Sequence, residues 1–446
     1  MKAMPLSFLF LSFLYAAALC GSVLARPLVW PKDGESRRAE ARQRSVLSNP
    51  VFTGNRVVRV NHAGGGGFIS FAEFLDAVGT ENDTTYVIEK SDSPYVVGCR
   101  LITIGDSSAG AARRRVVVRG STGNRGDVTL VGADPAVDPN FWKSAEYGGP
   151  SGCRATKVFA IYNAEHIVFA DMTLKNFAGK IIAIDGGLDD GVEWCGRNVL
   201  LHNLDMSDCG SQFIKVAGPP VSSRDCVLEF SRIHYTDGLF VESTYQTQGI
   251  DVHRGRGWIV RDNVFENIRM RAGTPSWGTA ILFWNDSSDI LIERNFILNC
   301  DFAIVAGQGD EDPTDNVMIR NNVIVYDDGS GAWKPNDVFA TKTKSTLHGG
   351  FLHNTVFNPY TGGNAFAVCY SAFPVRNNIY VSGTTHRCKS QRDNVVAAVS
   401  LFADPAAYDF RMKENRTVPA IDGLDRDVDG RARANPPTAG AYEYSE

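Results

Sequence analysis

The chain lacks several features that would narrow its class at once. Its nine cysteines include no C-x-x-C pair, which excludes the close thiolate spacing of a zinc ribbon or a thioredoxin-like site. No sign of charge dominates. The net charge is −5 with an isoelectric point near 6.0, so no basic field points to nucleic acid. The apolar run from Leu6 to Leu19 is too short for a comfortable membrane span. It follows Lys2 and precedes Val23-Leu24-Ala25, a small-residue cleavage site, so residues 1–25 read as a secretory signal and the product as extracellular. Between about residues 155 and 387 no helical spacing of apolar residues appears, which argues against alternating helices and strands.

Secretion fits the remaining cysteines. Loss of the signal removes Cys20 and leaves Cys99, Cys153, Cys195, Cys209, Cys226, Cys300, Cys369 and Cys388. An even number in an oxidising compartment suggests disulfides, with Cys369 and Cys388 the best local pair. Asn82, Asn285 and Asn415 begin glycosylation sequons that matter in a eukaryotic host.

What the chain does have is a recurring phrase: β-formers, a polar pair usually ending in Asn, then β-formers again. It reads Trp258-Ile259-Val260-Arg261-Asp262-Asn263-Val264-Phe265, and returns around Asn295, Asn322, Asn354 and Asn378. Weaker copies lie at Asp171-Met172, Asn203-Leu204 and Ser231-Arg232. The second positions, 172, 204, 232, 263, 295, 322, 354 and 378, are separated by 32, 28, 31, 32, 27, 32 and 24 residues. A period in that range marks a stacked solenoid. Each repeat also holds a second strand, as at 181–185, 213–216, 249–253, 280–284 and 303–306. Short strands with Gly or Asn at the corners describe an all-β parallel β-helix. The corner Asn residues then form an internal amide ladder, a structural role.

The expected domains are a signal at 1–25, a polar leader at 26–55, the β-helix at 56–400 and a C-terminal cap segment at 401–446. Apolar residues at Phe71, Phe74, Leu75 and Val78 have helical spacing, which suits a helix covering the solenoid's open end. The run Asp425-Arg426-Asp427-Val428-Asp429-Gly430 resembles a calcium loop, but its twelfth position is Pro436 rather than Glu. A cap turn is the expected role.

The repeat and the ending, including Phe402-Ala403-Asp404-Pro405 and Gly440-Ala441-Tyr442-Glu443-Tyr444, resemble the pectate-lyase-like superfamily of secreted right-handed parallel β-helices. The resemblance implies a polysaccharide lyase or a related glycan-binding protein, with calcium the one cofactor it allows. The polygalacturonase motif set is absent. Ile250-Asp251-Val252-His253 only loosely matches the Trp-x-Asp-His phrase of the largest pectate lyase group.

Period-2 alternation sorts the second strands into inside and outside. Ile214, Val216, Ile250, Val252, Ile281 and Phe283 point inward, so Lys215, Asp251, His253 and Trp284 point outward. Repeat spacing puts these four in one column, with Arg254 beside them, Asp185 one turn earlier, and Gln308 and Lys342 later. Asn285 and Arg271 complete the candidate substrate contacts, and Arg269 and the corner containing Glu242, Tyr245 and Gln246 lie at the rim. On this face Lys215 or Arg254 would neutralise a uronate carboxylate, and His253 or Lys215 would remove the neighbouring proton, with Asp251 orienting the imidazole. That chemistry is β-elimination on an acidic polysaccharide. The alternatives are epimerisation on the same face, hydrolysis by Asp251 with Asp185 or Asp286, and non-catalytic glycan binding or adhesion. A monomer is expected, with no membrane span once the signal is removed.

Overall fold

Each repeat places its β-branched and aromatic residues in short strands and its Asn, Asp and Gly at corners. In a computed structural model these stack as a parallel β-helix with three sheets. The structure describes residues 34–53, 56–108, 110–139, 141–143, 156–236, 247–270, 278–307, 313–327, 339–341, 349–359, 367–369, 373–381, 386–388 and 390–445. The first sheet contains Ile102–Ile104, Lys157–Ile161, Lys180–Asp189, Ile214–Ala217, Gln248–His253, Thr279–Trp284, Phe302–Ala306, Phe339–Thr341, Ala367–Cys369 and His386–Arg387. Each of these strands pairs in parallel with the next turn's strand. In-register pairing carries the interior through the stack. Phe159, Ile182, Ile214, Ile250, Ile281 and Ile304 form one buried column, and Ile161, Ile184, Val216, Val252, Phe283 and Ala306 the next. Burying each large member of these columns contributes about 1.5–3 kcal/mol.

The second and third sheets meet at the Asn corner. There a residue with positive φ precedes the ladder position: Asp262 at 57°, Arg294 at 53°, Asn321 at 54°, His353 at 51° and Asn377 at 59°. Asn and Asp tolerate this left-handed conformation best, which explains the polar first member of the pair. The second member builds the ladder. Asn263 Nδ2 donates to Asn295 Oδ1 at 3.0 Å, Asn295 to Asn322 at 3.0 Å, Asn322 to Asn354 at 3.0 Å, and Asn354 to Asn378 at 3.1 Å. Each Nδ2 also reaches a backbone carbonyl of the preceding turn, such as Leu228, Val260 or Ile292. The ladder extends one rung beyond the sequence expectation, to Asn394. In the weak third copy the rung is Ser231 rather than Arg232, because the Ser231 N–H donates to Asn263 Oδ1 at 2.9 Å.

A short helix, Phe71–Ala77, carries a capping box between Ser70 and Glu73 and buries Phe71 and Phe74. Both terminal segments differ from their expected form. Within the expected polar leader, Gly34–Arg44 is a helix lying against the Asn corner. Its Arg37 bonds Asp262 and Asp429, each at 3.2 Å, and its Ala41 carbonyl and Ser45 hydroxyl lie within reach of the buried His202. Arg37 thus ties this part of the expected leader to carboxylates of the β-helix and the C-terminal segment, and Arg44 reaches Glu229 at 3.5 Å. The C-terminal segment folds back over the outside of the third sheet. Phe402, Phe410, Val418, Val428 and Tyr442 bury Val264, Phe296, Val323, Val325, Phe357 and Ile379. Asp427 accepts from the backbone N–H groups of Asp429, Arg431 and Glu443, which is a turn-bracing role.

Four cysteines depart from the expectation of pairing. Cys195, Cys209, Cys226 and Cys300 are free and buried, packed as small apolar groups. Cys99 and Cys388 each take part in a disulfide. Residues 1–25 lie outside the described residues. Among the described residues no helix is long and apolar enough to cross a membrane.

Candidate functional site

The C-terminal segment covers the third sheet and the N-terminal helix lies over the Asn corner, whereas the first sheet carries polar side chains on its outer face. Strand register gives two columns there rather than the expected one. Ala183, Lys215, Asp251 and Leu282 form the first. Asp185, Ala217, His253 and Trp284 form the second, continuing the register by one residue between Ala217 and His253. Repeat spacing alone merged them, because it fixes the turn but not a two-residue offset along the strand.

Side-chain reach nevertheless brings the two columns together. Lys215 Nζ lies 2.5 Å from Asp251 Oδ2 and 2.5 Å from His253 Nε2. Trp284 Nε1 donates to Asp251 Oδ1 at 3.0 Å, and Asn285 approaches His253 Nδ1 at 2.7 Å. The side chain of Asp251 is 1% exposed, whereas those of Lys215 and His253 are 17% and 16% exposed. Asp251 is thus the floor of the cluster and the two nitrogens are its open edge. Burial pushes the Asp251 carboxyl up, but the neighbouring His253 imidazole and the Lys215 charge outweigh it and hold the carboxyl below its ordinary range.

Hydrogen-bond logic assigns the imidazole tautomer. His253 Nε2 lies 2.5 Å from the Lys215 ammonium and 3.3 Å from Asp251 Oδ1; the shorter contact is to a group that can only donate, and with Nε2 as its acceptor the ring hydrogen sits on Nδ1. That hydrogen needs an acceptor at Asn285. The Asn285 Oδ1 is otherwise buried without a partner, and an end-over-end turn of the amide puts it opposite Nδ1. The Asn285 amide is therefore committed to His253, whatever the sequon suggests.

The remaining candidates divide clearly. Arg254 is partly buried at the strand end with φ of 53°, and its guanidinium makes no ion pair among the described residues. Trp284 is less open than a free aromatic plate would be: its ring lies 4.4 Å from that of His253, and its body packs against the Leu282, Phe302 and Val305 cluster. Its indole N–H and ring therefore position Asp251 and His253. Asp185 is not joined to Asp251; its Oδ2 is 2.5 Å from Lys157 Nζ. Asp286 is exposed, and Arg269 is buried. Gln308, Lys342, Arg271, Glu242, Tyr245 and Gln246 lie outside the described residues.

Sequence reasoning missed Lys157 and Lys180, which neighbour each other in register. Burial and the adjacent Lys157 charge lower the pKa of Lys180, against the pull of Asp185 and Asp251. Lys157 is also penalised by burial, but the Asp185 carboxylate outweighs this and raises its pKa. Neither lysine stands in the Asn phrase, so the repeat gave no signal for them. Among the described residues no group of three or more His, Cys, Asp or Glu side chains is arranged to hold a metal ion.

No protein-family model matches the chain, and no curated protein matches it. Solved structures of similar shape include pectate lyase Pel9A, at 13% identity over 90% of this chain and 92% of that one, with a TM-score of 0.47. An alginate lyase from Paenibacillus sp. str. FPU-7 is 12% identical over 77% of this chain and 98% of that one, with a TM-score of 0.43. PfbA, a surface adhesin of Streptococcus pneumoniae, is 10% identical over 70% of this chain and 80% of that one, with a TM-score of 0.37. The parallel β-helix stands on the strand pairing described above.

Proposed function

We propose that the chain is a secreted enzyme that cleaves an acidic, uronate-containing polysaccharide by β-elimination. The observation that carries this reading is the partly exposed contact between the Lys215 ammonium and the unprotonated Nε2 of His253, over a buried carboxylate. Charge supports it. Lys157, Lys215 and Arg254 accompany Asp185 and Asp251 there, on a chain whose net charge is −5.

In the proposed step Lys215 and Arg254 hold the uronate carboxylate, which makes the adjacent C5–H acidic. His253 Nε2 takes the C5 proton. The C–H electron pair becomes the C4–C5 double bond, and the C4–O4 bond breaks with its electrons leaving on oxygen, which is then protonated. Asp251 engages the Lys215 ammonium in an ion pair, so Lys215 is assigned to the substrate carboxylate and His253 to the proton. Asn285, by fixing the hydrogen on Nδ1, leaves Nε2 unprotonated, and its lone pair becomes free when the uronate carboxylate draws the Lys215 ammonium away from it. Hydrolysis has less support, because it requires two carboxylates flanking the bond, and here Asp185 and Asp251 are each paired with a lysine. Asp185 and Asp251 are each committed to a lysine, so no step is routed through a calcium ion.

The test is incubation with pectate, alginate, glucuronan and glycosaminoglycans, with and without a chelator, while following both ultraviolet absorbance and reducing ends. Unsaturated products are expected. Reducing ends without new absorbance would replace elimination with hydrolysis. Inverted uronate stereochemistry without cleavage would indicate an epimerase, and binding without product an adhesive role.

A further inference from the structure

The turn that follows the N-terminal helix brings a hydroxyl, an imidazole and a carboxylate into one line. The helix ends at Arg44, and Ser45 is the first residue beyond it. Ser45 Oγ lies 2.9 Å from His202 Nε2, and His202 Nδ1 lies 2.9 Å from Glu229 Oε1. All three side chains are buried. His202 and Glu229 stand opposite each other on paired parallel strands, Leu200–Cys209 and Val227–Glu229. Burial pushes the Glu229 carboxyl up, but the neighbouring His202 imidazole and the Arg261 guanidinium outweigh it and bring its pKa to about 2. A carboxylate can only accept, so the neutral imidazole carries its hydrogen on Nδ1 and turns the Nε2 lone pair to the hydroxyl. Also within reach of that hydroxyl are the Ala41 carbonyl at 2.8 Å and the buried Asp171 carboxyl, which Arg119 pairs at 3.2 Å.

The carbonyl just before Ser45 is engaged as well. Asn49 Nδ2 donates to the Arg44 carbonyl oxygen at 2.8 Å, while Asn49 Oδ1 accepts from the Val51 N–H at 3.1 Å. The amide is therefore fixed at both ends, with its donor on the carbonyl that precedes the serine. A base at a hydroxyl and a donor at the adjacent carbonyl are the parts that acyl transfer needs. Anchoring the helix accounts for the first contact and does not require the second.

We propose that the chain cleaves its own Arg44–Ser45 peptide bond, with Ser45 as nucleophile and His202 as base. His202 Nε2 takes the hydroxyl proton as Ser45 Oγ bonds to the Arg44 carbonyl carbon, closing a small ring whose oxyanion Asn49 Nδ2 holds. The C–N bond then breaks. Its electron pair leaves on the Ser45 nitrogen, which takes the proton back from His202. An ester now joins Arg44 to the Ser45 oxygen. Water, the co-reactant, attacks this ester from the exposed Arg44 side. The C–O bond breaks, leaving a carboxyl on Arg44 and the hydroxyl and a free amino group on Ser45. Phe52, packed against Val117, Val168 and Ala170, keeps Ser45 on the β-helix, so the cut falls between the leader helix and the body of the chain. None of this depends on the polyuronate reading.

The test follows the purified full-length chain by intact mass and N-terminal sequencing during incubation at neutral pH, with thermal melting confirming the fold of each variant. A new N-terminus at Ser45 is expected, formed at a first-order rate that does not change with protein concentration. Ser45→Ala should abolish the cut, and Asn49→Ala should slow it about 100-fold. A contaminating protease that cuts after arginine gives the opposite pattern. It would still cut Ser45→Ala and would spare Arg44→Gln, whereas self-cleavage should continue in Arg44→Gln at close to the parental rate. Hydroxylamine tests the ester without any substitution: it should leave a hydroxamate on Arg44 in place of the acid. No new N-terminus in the folded parent, cleavage of folded Ser45→Ala, loss of cleavage in folded Arg44→Gln, or the acid alone in hydroxylamine would each overturn the proposal.

Discussion

The Asn corner and the first-sheet face are both columns of polar side chains running along one solenoid, yet they do opposite things. From Asn263 to Asn378 each rung of the corner is the same residue, fully buried, with its amide donors and acceptor used by neighbouring turns. On the first sheet successive turns present different residues, and those nitrogens stay partly exposed. A repeated buried amide satisfies itself and leaves nothing to offer a ligand. An unrepeated column cannot pair with copies of itself, so a lysine meets a carboxylate and an imidazole instead, and both nitrogen-bearing side chains stay open to a ligand. Identity between turns makes a brace, and difference between turns makes a site.

The largest expected effect breaks the site and spares the brace. His253→Ala should lower the rate of unsaturated uronate formation by about 100-fold or more, while melting temperature stays close to that of the parent. Next comes the converse change. Asn322→Ala removes the acceptor used by both the Asn295 N–H and the Asn295 Nδ2. It should cost about 1–3 kcal/mol in chemical denaturation, with kcat unchanged while the protein remains folded. A smaller effect is expected from Trp284→Phe, which retains the ring but loses the hydrogen bond to Asp251. Roughly a tenfold loss of kcat is expected, with substrate affinity little changed.

The last contrast is silent at neutral pH. Burial and the nearby Arg433 charge push the pKa of His353, at the Asn corner, down to about 3. In the unfolded chain a histidine binds its proton near pH 6.5. The unfolded state therefore gains protons first as pH falls, so this contribution is complete above about pH 6.5 and is lost progressively toward pH 3. His353→Gln should make the decline of stability between about pH 6 and pH 4 shallower by up to about 1.4 kcal/mol per pH unit. An unchanged slope would show that His353 is not held neutral in the native state.

The architecture was legible because a brace must repeat. Asn263, Asn295, Asn322, Asn354 and Asn378 announced both the period and the corner they occupy. The site was legible only in part. Alternation correctly turned Lys215, Asp251 and His253 outward, but the period could not distinguish one column from two neighbouring ones. Trp284 looked like an open ring because its cover, Leu282, Phe302 and Val305, consists of ordinary apolar residues. Lys157 and Lys180 gave no signal, since their meaning comes from Asp185. The terminal segments were misjudged for a related reason. Arg37 and Phe410 act through partners far along the chain, Asp262 and Phe357, and no local pattern encodes such contacts.

The most direct measurement is the initial rate of unsaturated uronate formation on a polyuronate by the parent, His253→Ala and Asn322→Ala proteins, each at a temperature where circular dichroism shows it folded. The account predicts that Asn322→Ala matches the parent and His253→Ala is nearly inactive. Full activity in folded His253→Ala protein, or loss of activity in folded Asn322→Ala protein, would contradict the assignment of chemistry to the unrepeated column.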